Sequence, residues 1–208
     1  MIDYDSLHEL EMAKKRDRKI AISEEAINKV PRIQYKGIPE KEYDIVCALA
    51  KEVLRISRDQ NDSNEVAITY SLESARCIER NEEYLGIALG SEHGVDPLSN
   101  TTSNHLINGQ SDCVVVVLHN HPSLSDFSLS DIYFFLAHGS IKMMVVVSNL
   151  GRITYLTKQE KYNYAKAVAL LNEAISMHNE AKNLKDLQDA ADNFLRNSFS
   201  VGITYVDR

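Results

Sequence analysis

Cysteine is scarce in this chain. Cys47, Cys77 and Cys113 stand far apart, and no CxxC pair occurs. That spacing suggests neither a disulfide framework nor a cysteine-based zinc site, and it fits reduced thiols in a cytoplasmic protein. Long apolar runs are missing too. The longest, Val114 to Leu118 and Met143 to Val147, are far too short to cross a bilayer. The opening MIDYDSLHELEMAKKRDRK holds no apolar stretch of the kind a signal peptide needs, so a soluble, cytoplasmic protein with no membrane partner is expected. Positive charge is also in short supply, with a net charge of −7. The one basic cluster, Lys14 to Lys19, lies beside Glu9 and Glu11 and reads as a solvated helix face. An acidic chain gains no broad counterion-release attraction, which argues against general nucleic-acid binding and leaves only a local DNA contact open.

What is present is an ordinary globular composition. Hydrophobic residues make up 44% of the 208, enough to bury a core without disulfides. No internal repeat or low-complexity segment interrupts it. Residues 1–38 read as a charged, mainly helical N-terminal extension, in which Ser23 caps a short helix that Pro31 ends. Then IPEKEYDIVCALAKEVLRIS places Val46, Leu49, Ala50, Val53 and Leu54 on one helix face, with Pro39 in its first turn.

From Glu65 the pattern turns to strands: EVAITYS, RCIER and YLGIAL, with Asn81-Glu82 turning between the last two. GSEHGVDPLSNTT is loop-like, and SNHLINGQ reads as a short helix. CVVVVLH is a buried strand, because four consecutive valines offer water no polar face, and Cys113 is expected there as a small core residue. DIYFFLAHG is a short helix ended by Gly139, with Tyr133, Phe134 and Phe135 packing against the sheet. KMMVVVS and ITYLTK are strands joined at Asn149-Leu150-Gly151. Residues 159–208 form a helical C-terminal extension, in which VGITYV is a candidate edge strand. The expected fold class is α/β (α+β), a mixed β-sheet flanked by helices.

The chemistry concentrates in LHNHPSLSDFSLSD, residues 118–131. His119 and His121 lie two apart at the end of the valine strand, so their side chains share one face. Pro122 ends the ladder, since it has no N–H to give. Asp131, in the first turn of the next helix, is well placed as a third ligand. Two histidines and an aspartate leave a fourth tetrahedral position for water, as catalytic zinc sites do. The plain alternative is that Ser128-Leu129-Ser130-Asp131 is a capping box and nothing more. The two readings are compatible, and the joint pattern of HxHP on a buried strand followed by S-x-x-D favours metal. His8, His93, His105, His138 and His178 have no ligand spacing of their own; His93 and His105 flank the loop before the valine strand.

These residues resemble the JAMM motif of MPN-domain zinc metalloproteases. HNHP with a following serine is most similar to the bacterial RadC-like branch, and FSLSDI is also similar to JAMM-like domains associated with phage and bacterial toxin proteins. The resemblance covers roughly residues 40 to 158 and implies a cytidine-deaminase-like JAMM/MPN core at 39–158. It implies Zn2+ held by His119, His121 and Asp131, with Ser128 donating a hydrogen bond to the oxyanion. It also implies a glutamate on an early strand after a long helix, which takes the water's proton and returns it to the leaving amine. Glu65 occupies that place; Glu73, Glu79, Glu82 and Glu83 are alternatives nearer a hairpin. Two departures stand out. The interval from His121 to Asp131 is one residue shorter than the commonest pattern, and the strand after Glu65 lacks the glycine many peptidase members carry.

Three functions follow. The first is a metallopeptidase or isopeptidase acting on a protein or peptide substrate. The second is a RadC-like, DNA-repair-associated protein with another hydrolytic substrate, against which the acidic charge counts. The third is a non-catalytic MPN-like interaction module, against which the full ligand set counts. Substrate specificity is expected, by position, from the loop Gly90 to Asn104 and the helical C-terminus.

Overall fold

A computed structural model describes residues 19–72, 84–179 and 184–208. The strand expected at 76–80, the Asn81-Glu82 turn and Glu73, Glu79, Glu82 and Glu83 fall outside these residues, as do Cys77 and His8. Helix α1 spans Glu24–Lys29, with the Ser23 hydroxyl accepting from the Ala26 N–H as the capping signal requires. A 3-10 turn at Glu40–Glu42 then leads into α2, Tyr43–Gln60. Strands β1 (Val66–Ser71) and β2 (Leu85–Leu89) precede α3 (Thr101–Gly109). The motif segment follows as β3 (Val115–His121) and α4 (Leu129–Ala137). The chain closes with β4 (Ile141–Ser148), β5 (Ile153–Lys158), α5 (Tyr164–Asn179), α6 (Leu184–Asn197) and β6 (Ile203–Asp207).

The six strands form one mixed sheet in the order β2-β1-β3-β4-β5-β6. The expected class, a mixed sheet flanked by helices, is what the structure has. VGITYV supplies its edge strand, β6, antiparallel to β5. Among the described strands only β3 and β4 run parallel, and α4 is the crossover between them. Because β3 is covered on both faces, Val115 to Leu118 are all fully buried, and each such side chain contributes about 2 kcal/mol by leaving water. Val116 and Leu118 pack with Val53 and Leu54 of α2. Val115 and Val117 face a second cluster with Phe127, Phe135, Leu171 and Phe194, so the helices after residue 159 share the core of the sheet.

Two expectations shift. Cys113 is exposed, not a core residue: it precedes the strand, which begins at Val115, and the Val114 N–H is shared between the Asp112 and Ser140 carbonyls. Helix α4 ends at Ala137, two residues before Gly139, where the His138 N–H closes the last turn on Phe134. The Asn149-Leu150-Gly151 turn does need its glycine, since Gly151 has φ +87° and a Cβ there would strike the Ala26 carbonyl.

The end of β3 is anchored by two side-chain amides that are fully buried, Asn120 and Asn149. Asn120 Oδ1 accepts from the Val66 N–H at 2.8 Å, where β1 and β3 part. Its Nδ2 donates to Asn149 Oδ1 at 2.8 Å, and to Ser57 Oγ and the Asn64 carbonyl at 3.1 Å each. Asn149 Nδ2 in turn donates to the carbonyls of Ile20 and Ser63, while its backbone N–H donates to the His121 carbonyl at 3.0 Å. A buried amide with this many partners is costly to remove, because each orphaned donor or acceptor forfeits its hydration as well. Asn120→Ala is therefore expected to lower the unfolding free energy by about 3 kcal/mol in urea titrations, with little change in slope.

Candidate metal centre

Strand alternation sends Asn120 to the α2 side of the sheet and His119 and His121 to the other. Both histidines are buried, at 4% and 3% exposure. Their Nε2 atoms lie 3.0 Å apart, with ring centroids 4.9 Å apart. Asp131 reaches them from the first turn of α4: its Oδ1 is 3.2 Å from His119 Nε2, and its Oδ2 is 3.4 Å from His121 Nε2. Donor atoms of all three residues lie within 4.8 Å of one another, and among the described residues no other such group of histidine, cysteine and carboxylate occurs. The predicted ligand triad is thus brought together.

One such atom from each of the three residues forms a grouping that could hold a metal ion. Tetrahedral bonds of 2.0–2.1 Å place neighbouring donors about 3.3 Å apart; here each imidazole Nε2 has a different Asp131 oxygen near that distance. Two imidazoles and a carboxylate are also a donor set that zinc accepts. His121 Nδ1 faces the Ser125 carbonyl at 3.2 Å and the Ser125 hydroxyl at 3.3 Å, partners that orient the ring and turn Nε2 toward Asp131.

The capping box is present. The Asp131 N–H donates to Ser128 Oγ at 3.1 Å, and the Ser128 N–H donates to Asp131 Oδ2 at 2.8 Å. The Ser128 hydroxyl also donates to Oδ2, at 2.6 Å. The cap therefore holds the carboxylate while its oxygens face the histidines. The Ser128 hydroxyl lies on this carboxylate, so an oxyanion role requires it to rotate away from Oδ2. Burial works to raise the Asp131 carboxyl, yet the charge of His119 and the hydrogen bonds with His119 and His121 outweigh it. They hold it well below the usual carboxylate range.

Glu65 stands outside the triad. It is buried at 3% exposure just before β1, where its N–H donates to the Ser91 carbonyl and its own carbonyl accepts from Gly90. Ala67 is paired with His119 across the β1–β3 ladder, and alternation puts Glu65 on that same face. His105 is exposed on α3 and His93 lies in the Ser91–Gly94 turn; neither joins the cluster. The connection from β3 to α4 is tied from a distant part of the chain. The Tyr205 hydroxyl of β6 donates to Asp126, whose other oxygen accepts from the Phe127 N–H at 2.8 Å. Arg152 pairs with Asp207 at 2.6 Å and approaches Asp126 at 3.6 Å.

Several site features had no usable signal in the sequence. Asn120 and Tyr205 act through partners dozens of residues away, and no local periodicity marks such pairs. Val95 and Pro97, from a stretch with loop composition, line a recess beside His119 and Asp131.

The depressed Asp131 pKa fixes the sign of an acid effect in metal-free protein. A carboxyl whose folded pKa lies below its unfolded value of about 3.9 adds stability that is complete above that value. The contribution is lost as the pH falls through the folded pKa. Asp131→Asn should therefore flatten the acid limb of stability against pH, measured by denaturant titration from about pH 5 downward. No protein-family model, curated protein or solved structure matches this chain.

Proposed function

We propose that this protein is a zinc-dependent hydrolase of the JAMM type, a metallopeptidase or isopeptidase that cleaves an amide bond in a protein or peptide. The observation that carries the reading is the convergence of His119, His121 and Asp131, a group able to hold a metal ion, at the end of a buried strand. Bound there, zinc supplies a Lewis acid for the carbonyl and a water of near-neutral pKa.

The chain's own residues do the rest. His119 and His121 are presented by one strand face and Asp131 by a capped helix start, so the three side chains already converge. Three protein ligands leave a coordination position for water or substrate. Glu65 accepts the water's proton and passes it to the departing amine, which a buried carboxylate outside the ligand set is suited to do. Ser128 holds Asp131 in the resting state. Its backbone N–H keeps Oδ2 in place while its hydroxyl turns to the oxyanion as charge develops there. The acidic charge weighs against a DNA substrate, and the complete ligand set weighs against a purely structural module.

Glu65→Gln separates binding from chemistry. The variant is expected to retain the zinc content of the wild type while its cleavage of a mixed peptide library, followed by mass spectrometry, falls by about 100-fold or more.

A further inference from the structure

The ring nitrogen of His121 that points away from Asp131 faces a backbone carbonyl. Nδ1 lies 3.2 Å from the Ser125 carbonyl and 3.3 Å from the Ser125 hydroxyl. A carbonyl oxygen only accepts, so the contact needs the proton on Nδ1 and leaves the lone pair on Nε2. That is the tautomer in which Nε2 can bind a metal. The Ser125 carbonyl belongs to the Ser125–Asp126 peptide, a planar unit whose orientation is shared by both residues. On its Ser125 side the unit is held only locally, by the Ser125 N–H donating to Ser123 Oγ at 3.2 Å. On its Asp126 side it is tied to the far edge of the sheet.

Asp126 Oδ2 accepts from the Tyr205 hydroxyl and lies 3.6 Å from the Arg152 guanidinium, while Oδ1 accepts from the Phe127 N–H at 2.8 Å. Only 12% of the Asp126 side chain is exposed, so water competes poorly for these bonds. Burial, and then the hydrogen bond to Asp126, push the Tyr205 phenol up, so it remains a donor. With both oxygens engaged, Asp126 stands outside the group of His119, His121 and Asp131. The two aspartates of the segment thus divide the work: Asp131 reaches the histidines, and Asp126 reaches β6.

We propose that Asp126, held by Tyr205, is a positioning residue for the metal centre: it fixes the Ser125–Asp126 peptide, whose carbonyl keeps His121 Nε2 open to the metal. The inference rests on the metal-hydrolase reading and adds to it a requirement for the C-terminal strand. When the tie is cut the peptide can turn, and His121 loses both its fixed ring angle and its preference for the Nδ1 proton.

Two readouts on the full-length protein test this: zinc affinity, by competition with a chromophoric chelator, and the visible spectrum of the cobalt form. Asp126→Asn offers one acceptor where two are used, and is expected to weaken zinc binding about tenfold. Tyr205→Phe removes one hydroxyl, keeps the ring and is expected to cost about fivefold. Both should shift the cobalt bands in the same direction, and the double variant should be no weaker than Asp126→Asn alone, because one link is cut in each. Tyr205→Phe decides by itself if Asp126→Asn does not fold. Val201→Ala is the control, since it opens the core in the turn before β6 without touching Asp126. It should lower the urea midpoint yet leave zinc affinity within about twofold and the cobalt spectrum unmoved. Wild-type affinity and spectrum in the two link variants, or an equal loss in Val201→Ala, would overturn the positioning role and leave the metal centre standing. Failure of the wild type to bind zinc or cobalt would remove the metal-hydrolase reading and this inference together.

Discussion

The buried bond between the side chains of Asn120 and Asn149 holds the end of β3, and the cluster of His119, His121 and Asp131 hangs from that end. Asn120 is the middle residue of HNH. Strand alternation turns it toward α2 while the flanking histidines turn the other way. One amide therefore pins the backbone from behind, using partners from β1, the C-terminal half of α2 and the turn after it. Asn149 adds the N-terminal segment through Ile20 and grips the His121 carbonyl directly. A fully satisfied polar network of this kind is rigid, because any displacement leaves a buried group without its partner. The two imidazoles inherit that rigidity.

The same economy appears on the other side of the site. Asp131 lies in the first turn of α4, and the Ser128–Asp131 cap that starts the helix also aims the carboxylate. A helix cap and a metal-ligand role for Asp131 are geometrically compatible, since the carboxylate reaches cap and histidines at once. One fewer residue between His121 and Asp131 than the common JAMM spacing does not keep them apart; they meet at 3.4 Å. Tyr205 and Arg152 then tie the intervening loop to the far edge of the sheet through Asp126.

Much of this was legible in the sequence. The run of valines could only be a strand buried on both faces, and HxH at its end had to share one face. The S-x-x-D signature placed both a helix start and a carboxylate. Glu65 was expected at the head of β1 and lies one residue before it, on the histidine face of the sheet. What the sequence could not display was long-range pairing. Asn120 finds Ser57 and Asn149, and Tyr205 finds Asp126 across 79 positions. Cys113 failed for a local reason: apolar neighbours suggested burial, but it precedes the strand, which begins at Val115. The stretch from Gly90 to Asn104 read as loop. Only its fold, a 3-10 turn at Pro97–Ser99 and a helix capped by Asn100, brings Val95 and Pro97 to the site.

The central claim is that this arrangement is a metal centre, and metal content tests it most directly. Untagged wild-type protein is measured by mass spectrometry after zinc is offered and excess removed, beside Asp131→Ala and His121→Ala. The account predicts about one zinc per chain in the wild type and its loss in both variants. A wild type that takes up no zinc would contradict it, and would return Ser128 and Asp131 to helix capping alone.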